Sequence, residues 1–212
     1  MALSDFFSNF HLFMRWFHVF FGIIWIGHLY FFNWVNIPFQ AAIDDATKKG
    51  ANAQLLSRAL WWFRWGAMFT FIAGWFLFTM NYMYTPGIGF GPTNLFQDAY
   101  GITGRAWWIL FGMLLGTIMW FNVWFIIWPA QQRILGLCGK PKAEGDALAA
   151  LRKKAALASK TNTFLSAPML LAMLAAPHYG AINPLTLIVF TAVTMFFIWS
   201  NYKHSTKVGK PA

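Results

Sequence analysis

The chain has 212 residues, of which 58% are hydrophobic, 20% are aromatic and only 10% are charged. Soluble domains carry roughly 25% charged residues, so this composition excludes a soluble enzyme, a disordered tail and a disulfide-stabilised scaffold. The formal net charge is +10, but the basic residues crowd into short segments between apolar runs. That pattern is typical of membrane loops, and it argues against a nucleic-acid partner. The composition therefore predicts an all-α, polytopic bundle of transmembrane helices.

One cysteine, Cys138, is present in the sequence. A single cysteine excludes an intrachain disulfide and a metal site built on a cysteine pair. It also excludes a covalently attached c-type haem, which needs a Cys-x-x-Cys-His motif.

Five apolar runs approach the ~20 residues that a helix needs to cross a bilayer. They lie at about 12–37, 59–83, 106–128, 162–177 and 184–202, and they predict one transmembrane domain over 1–212. The fourth run is the weakest, and in a four-span alternative it is re-entrant or interfacial. The Gly- and Pro-rich stretch after the second run predicts an ordered outer loop with turns. The segment 136–157 predicts a short basic helix on the inner membrane surface.

The charges of the loops predict the orientation. Lysines and arginines follow the first, third and last runs, whereas the long loop 84–104 carries one charged residue, Asp98. Because positive loops stay in the cytoplasm, we predict an outer N-terminus and a cytoplasmic C-terminus. The basic segments also predict contact with anionic lipid in the inner leaflet.

A stripe of residues along the first run suits a flat cofactor. His11, Arg15, His18, Gly22, Trp25 and Leu29 recur at spacings of three and four, so they share one helix face. We predict that His18 binds the iron of a b-type haem and that Gly22 leaves room for its flat body. Arg15, one turn nearer the outer surface, would meet a propionate. The alternatives are that His18 is a hydrogen-bonded packing residue and that Arg15 only reaches the headgroups.

A second axial ligand must come from another helix at similar depth. His178, at the outer end of the fourth run, is predicted to fill this role, and Arg105 is predicted to hold another propionate. His11 is a further candidate metal ligand. His28 lies about 15 Å deeper than His18, so it would serve a second haem. The sequence thus predicts one haem b, with a second as an option.

Polar residues other than histidine are rare in the predicted spans. No Asp or Glu lies within them, which argues against a carboxylate proton relay. Four asparagines are predicted to form hydrogen bonds between helices: Asn33, Asn36, Asn122 and Asn162. Met68, Met119 and Met173 predict core packing, although a thioether can also be a haem ligand.

Several stretches carry a family resemblance. They are Arg15-Trp16-Phe17-His18-Val19 with Gly22-Ile23-Ile24-Trp25-Ile26-Gly27 and Tyr30-Phe31-Phe32-Asn33, then Trp61-Trp62-Phe63-Arg64-Trp65, then Gly116-Thr117-Ile118-Met119-Trp120-Phe121-Asn122-Val123 with Pro129 and Arg133, and finally Asn162-Thr163 with Pro168, Met173, His178 and Tyr179. In this order they resemble the membrane domain of PuuD-like urate hydroxylases, the urate oxidase N-terminal domain. The resemblance implies a multi-pass protein of the bacterial inner membrane with a haem-linked redox role. Full-length members carry a C-terminal cytochrome c domain, and this sequence resembles a short form without it.

These observations lead to three hypotheses about function. The first is a b-haem redox protein that passes electrons between a donor or quinol and a separate cytochrome c or respiratory complex. The second is a non-catalytic accessory subunit of a larger membrane assembly. The third, implied by the resemblance, is a urate-oxidising membrane enzyme. The predicted protein partner is a cytochrome c or a respiratory complex, or a second copy of the chain in a homo-oligomer.

Overall fold

Nearly all of the described chain is helical. The computed structural model describes residues 5–85, 87–95, 102–179 and 182–209. Five long helices follow one another: α1 (Phe6–Ala42), α2 (45–83), α3 (Gly104–Leu135), α4 (Gly145–His178) and α5 (Pro184–Ser205). The all-α prediction is therefore confirmed. Asp98, which entered the prediction of orientation, lies outside the described residues.

The first three helices contain wider π-helical segments. In α1, the π segment Phe31–Asn36 joins the α-helical segments Phe6–Tyr30 and Ile37–Ala42. Helix α2 consists, in chain order, of the α-helical Asp45–Ala51, the π segment Asn52–Leu56, the α-helical Ser57–Phe78 and the π segment Thr79–Met83. In α3, the π segment Asn122–Ile127 joins Gly104–Phe121 and Trp128–Leu135. In α1 and α3 the π segment comes just before a proline, Pro38 or Pro129. Proline lacks an N–H and crowds the preceding turn, so the wider turn lets each helix continue past it.

Polar side chains cap the N-termini of four helices. Asp5, Asp44, Thr103 and Asn183 each accept a hydrogen bond from the backbone N–H three residues later. Such caps satisfy one of the free N–H groups at a helix start. At the other end of α3, Gly136 has φ +69°, a left-handed conformation that glycine adopts without strain.

A small hairpin lies between α2 and α3. Strands β1 (Tyr84–Thr85) and β2 (Gly89–Phe90) pair antiparallel, with Tyr84 opposite Phe90, and a 3₁₀ turn follows at Thr93–Leu95. Gly87 and Gly89 both have positive φ, 84° and 104°. The described part of this connection thus contains the turns that the sequence predicts. We call this side of the bundle the hairpin end and the opposite side, where α3 and α5 finish, the basic end.

Two antiparallel helix pairs form the bundle. α1 packs mainly along α2, and α3 packs mainly along α4. Glycines permit the close approach: a Cβ on Gly66 of α2 would lie 3.1 Å from the backbone N of Trp25, and one on Gly112 of α3 would lie 3.2 Å from the Cβ of Ala172. The pairs meet in one core towards the basic end, where Leu29, Phe63, Ala67, Met119, Val123 and Met169 are buried.

Helix α5 lies on the outside of this bundle. Its Phe190 ring contacts Trp108 and Tyr179, with centroids 6.4 and 5.7 Å away. Its other large apolar side chains are mostly exposed, as expected for a helix that faces lipid or a partner.

Three of the five helices are long and apolar enough to cross a membrane: α1, α3 and α5. The protein is thus a membrane protein. The predicted runs 59–83 and 162–177 lie within α2 and α4. The separate surface helix predicted over 136–157 is wrong, because α4 runs unbroken from Gly145. No Gly or Pro interrupts 146–167, so nothing ends the helix before the apolar segment begins.

Candidate functional site

His18 is held in a defined tautomer by α2. Its Nδ1 lies 2.8 Å from the carbonyl oxygen of Thr70. A carbonyl only accepts hydrogen bonds, so Nδ1 carries the proton, and in the neutral ring Nε2 keeps its lone pair. Nε2 has no hydrogen-bond partner in the described part of the chain and is not sealed off by neighbouring atoms. His18 therefore offers one free ligand atom.

Small residues on α2 create the space for this ring. A Cβ on Gly74 would lie 3.1 Å from Cε1 and 3.4 Å from Nδ1 of His18. One turn earlier, Thr70 donates from Oγ1 to the carbonyl of Gly66 at 2.7 Å, so its own hydroxyl is occupied. The stripe Gly66, Thr70 and Gly74 lets α2 approach the face of α1 that carries His18.

His18 borders a cavity of about 520 Å³ between the two helix pairs. From the first helix pair, Gly22 and Trp25 of α1 and Phe71 and Trp75 of α2 line it. The second pair contributes Gly116 and Thr117 of α3 and three methionines: Met113, Met169 and Met173. The lining is almost entirely apolar, and cofactor sites typically combine such walls with very few polar groups. On one side the rim is formed by exposed Val19, Ile23, Leu170 and Leu174, so the cavity opens towards the lipid-facing surface.

Three of the predicted cofactor residues line this cavity and three do not. His18, Gly22 and Trp25 line it, whereas Arg15, Arg105 and His178 are exposed and lie outside it. Arg105 borders a smaller polar pocket of about 330 Å³ at the hairpin end, with Cζ 5.5 Å from the ring centroid of Tyr82. The structure therefore does not bring the two arginines and His178 to His18.

The two other predicted metal ligands also lie away from the cavity. His28 bonds through Nδ1 to the carbonyl of Ile24 on its own helix, at 2.7 Å. His11 has a buried Nε2 without a hydrogen-bond partner among the described residues. In the same residues, no group of three or more His, Cys, Asp or Glu side chains comes together to hold a metal ion.

Three of the four predicted interhelical amides are confirmed, whereas Asn36 bonds to Gln40 on its own helix. Asn122 donates to Oδ1 of Asn162 at 2.7 Å, and Asn162 donates to the carbonyl of Met119 at 2.9 Å. Asn33 donates to Oγ of Ser159 at 2.8 Å, which ties α1 to α4. These bonds fasten the basic end of the bundle below the cavity.

Thr70, Gly74, Met113 and Met169 complete the site, and the sequence argument did not identify them. A signal for two of them was present, because Gly66, Thr70 and Gly74 recur every four residues, a small-residue pattern typical of close helix contacts in membranes. The methionines carry no such pattern, since unbranched apolar residues occur throughout the spans.

The fold and the cavity define a class: an α-helical membrane protein with a half-buried histidine that lines an apolar cavity. The family model described as urate oxidase N-terminal matches residues 93–208, more than half of the chain, and the protein belongs to this family. The resemblance drawn from the sequence is thus confirmed, although His18 and the α2 glycines precede the matched residues. No curated protein and no solved structure matches the chain.

Proposed function

We propose that the protein is a membrane redox protein that holds one b-type haem in the central cavity, with His18 as an axial ligand. It passes electrons between a donor or quinol and a separate cytochrome or respiratory complex. The observation that carries the proposal is the His18 imidazole, bonded through Nδ1 to the Thr70 carbonyl and free at Nε2 beside the cavity. Ligating histidines usually donate their other ring N–H to such a partner.

The residues around the cavity suit a flat, largely apolar group. Gly22 and Gly116 present backbone without side chains, and a Cβ on either would meet no atom closer than 3.9 Å. Aromatic and aliphatic side chains supply the remaining walls. The iron of haem b supplies one-electron chemistry between the ferrous and ferric states.

We propose a methionine thioether, Met173, as the second ligand. Met173 lines the cavity from α4. Its Sδ packs against Gly112 of α3, because a Cβ added at this glycine would lie only 3.4 Å from the sulfur. His18 and Met173 therefore approach the same space from different helix pairs. If both residues hold the iron, this ligand pair and the apolar lining would favour the reduced state of the haem and raise its reduction potential.

We further propose five membrane spans with the hairpin end outside and the basic end in the cytoplasm of a bacterium. The distribution of lysine and arginine supports this orientation. The helices α2 and α4 would then also cross the bilayer, and both bury more residues within the bundle than α5 does.

Absorbance spectroscopy tests the haem. The purified protein should show a b-type α-band in its dithionite-reduced minus air-oxidised spectrum, and a pyridine haemochrome assay should give about one haem per chain. His18→Ala should lose the band, whereas the matched control His28→Ala should keep it, because His28 lies outside the cavity. A well-folded wild-type protein without haem would refute the proposal.

Two other functions each have one supporting observation. Membership of the urate oxidase N-terminal family favours urate oxidation, which predicts urate-dependent reduction of the haem or of an added cytochrome c. The exposed apolar side chains of α5 favour an accessory subunit; this predicts co-purification with a larger complex and no effect of His18→Ala on its assembly.

A further inference from the structure

Two lysines from different helices lie on neighbouring aromatic rings at the basic end. Nζ of Lys160, on α4, is 5.0 Å from the ring centroid of Tyr202. Nζ of Lys203, on α5, is 4.1 Å from the ring centroid of Trp199. The Tyr202 ring holds the Lys160 ammonium across the seam between α4 and α5, and the Trp199 ring holds the Lys203 ammonium on α5 itself.

Within the described part of the chain, neither lysine forms an ion pair with a carboxylate. After Asp146 the sequence contains no Asp or Glu, although seven lysines and arginines follow. The ion pair within the described residues is Lys48–Asp45, in a different part of the chain. Asp146 lies 14 residues before Lys160 in the same helix, about 21 Å away along its axis. An external anion is therefore the group that suits this seam.

A lipid-facing stripe leads from the lysines along α5. Its residues are spaced by three and four, so they share one face, and each is exposed: Val189 (45%), Val193 (60%), Phe196 (65%) and Trp199 (42%). The stripe ends at Lys203, 14 residues from its start, a distance of about 21 Å along the helix. Half of a bilayer with its headgroups measures about 20–22 Å, so the stripe has the length of one phospholipid.

We propose that the seam between α4 and α5 is a binding site for one anionic phospholipid. Lys160 and Lys203 contact its phosphate, Trp199 and Tyr202 lie at the level of the glycerol, and an acyl chain lies along Val189, Val193 and Phe196. The two lysine charges select an anionic headgroup. The exposed apolar stripe selects a ligand that carries acyl chains. The site is separate from the central cavity and does not depend on haem.

Thermal unfolding of the full-length protein in detergent tests this site, with phosphatidylglycerol or phosphatidylcholine of identical acyl chains added. Phosphatidylglycerol should raise Tm by about 5 °C more than phosphatidylcholine. The double variant Lys160→Gln/Lys203→Gln should lose this difference. The matched control Lys153→Gln/Lys154→Gln removes the same charge from exposed positions of α4 and should retain it. Soluble glycerol phosphate should have no effect, because it lacks the chains.

Native mass spectrometry provides a second readout that does not depend on how well the variants fold. The wild type should retain one phosphatidylglycerol from an equimolar lipid mixture. If the wild type retained phosphatidylglycerol and phosphatidylcholine equally, the proposal would be overturned. It would also be overturned if the control Lys153→Gln/Lys154→Gln lost phosphatidylglycerol as much as Lys160→Gln/Lys203→Gln does. A stable dimer in which α5 is protected would overturn it too and would assign the stripe to a second copy of the chain.

Discussion

Gly74 lies directly against the imidazole of His18, since a Cβ added at this glycine would be 3.1 Å from Cε1. The bond from His18 to the Thr70 carbonyl, at 2.8 Å, fixes the ring on that side. The ring is therefore held between a glycine and a carbonyl of α2. The free Nε2 is thus positioned by a helix other than the one that carries His18.

Gly74→Ala should displace the His18 ring and weaken its bond to Thr70. We expect at least tenfold weaker haem retention, measured as haem per chain after dialysis against apomyoglobin. Gly50→Ala is the control, because a Cβ at Gly50 meets no atom within 4 Å, and it should retain haem fully. Full retention in Gly74→Ala would show that His18 is not the ligand.

Met173→Leu should leave haem bound but change its spin state, because it removes the sulfur at nearly constant volume. Electron paramagnetic resonance of the oxidised protein should move from a low-spin to a high-spin signal. Met119→Leu, in the core away from the cavity, should leave the signal unchanged. If instead His178→Ala changes the signal and Met173→Leu does not, the second ligand is His178.

Asn162→Leu should destabilise the fold, because it leaves the Nδ2 group of Asn122 without its partner and removes the bond from Asn162 to the Met119 carbonyl. Single polar contacts between membrane helices contribute on average about 0.6 kcal/mol, and a buried polar group without a partner costs about 1–3 kcal/mol. A loss of about 1–3 kcal/mol in the free energy of unfolding is therefore expected, measured by denaturation in mixed micelles. Asn201→Leu should change it by less than about 0.5 kcal/mol, since Asn201 bonds only within α5.

Cys138 is exposed in the connection between α3 and α4 and reports directly on the orientation. A membrane-impermeant maleimide should fail to label it in intact cells and should label it in inverted vesicles. In a Cys138→Ser background, Ile88→Cys, at the 75% exposed tip of the hairpin, should show the reverse pattern. Labelling of Cys138 from outside would contradict the proposed topology.

The start of α2 should be sensitive to acid. Hydrogen bonds from the backbone N–H and the hydroxyl of Thr47 lower the pKa of Asp44 below its ordinary value. The ionised cap stabilises the folded helix at every pH above the unfolded pKa of about 3.9. This contribution is lost as the pH falls through the lower folded pKa. The protection factor of the Thr47 amide against hydrogen exchange should fall at that point, and in Asp44→Ala it should be low at all pH values.

The helices could be predicted from sequence because long apolar runs between basic loops have few alternative structures. Their ends were less predictable. At 31–42 a π-helical segment followed by a proline lets α1 continue beyond its apolar run. In 146–167 no Gly or Pro ends the helix, so a charged segment becomes part of α4.

The site was only half predictable for a geometric reason. Residues on one helix, such as His18, Gly22 and Trp25, share a face through the regular helical repeat, so the sequence identifies them. What lies opposite depends on which helices pair and on their rotation. His178 has a suitable place along the bundle, yet it faces outward, whereas Thr70 and Met173 face the cavity because of how α2 and α4 are rotated.

The division into two helix pairs has a consequence for biogenesis. Each pair is closed by its own glycine contacts, but the space between them at the cavity is filled by few protein atoms. A ligand there touches both pairs and binds only when they are joined, so its binding energy adds to the free energy of their association. Cofactor supply would then act as a checkpoint on assembly, and chains made without it would expose the seam between the pairs to membrane proteases.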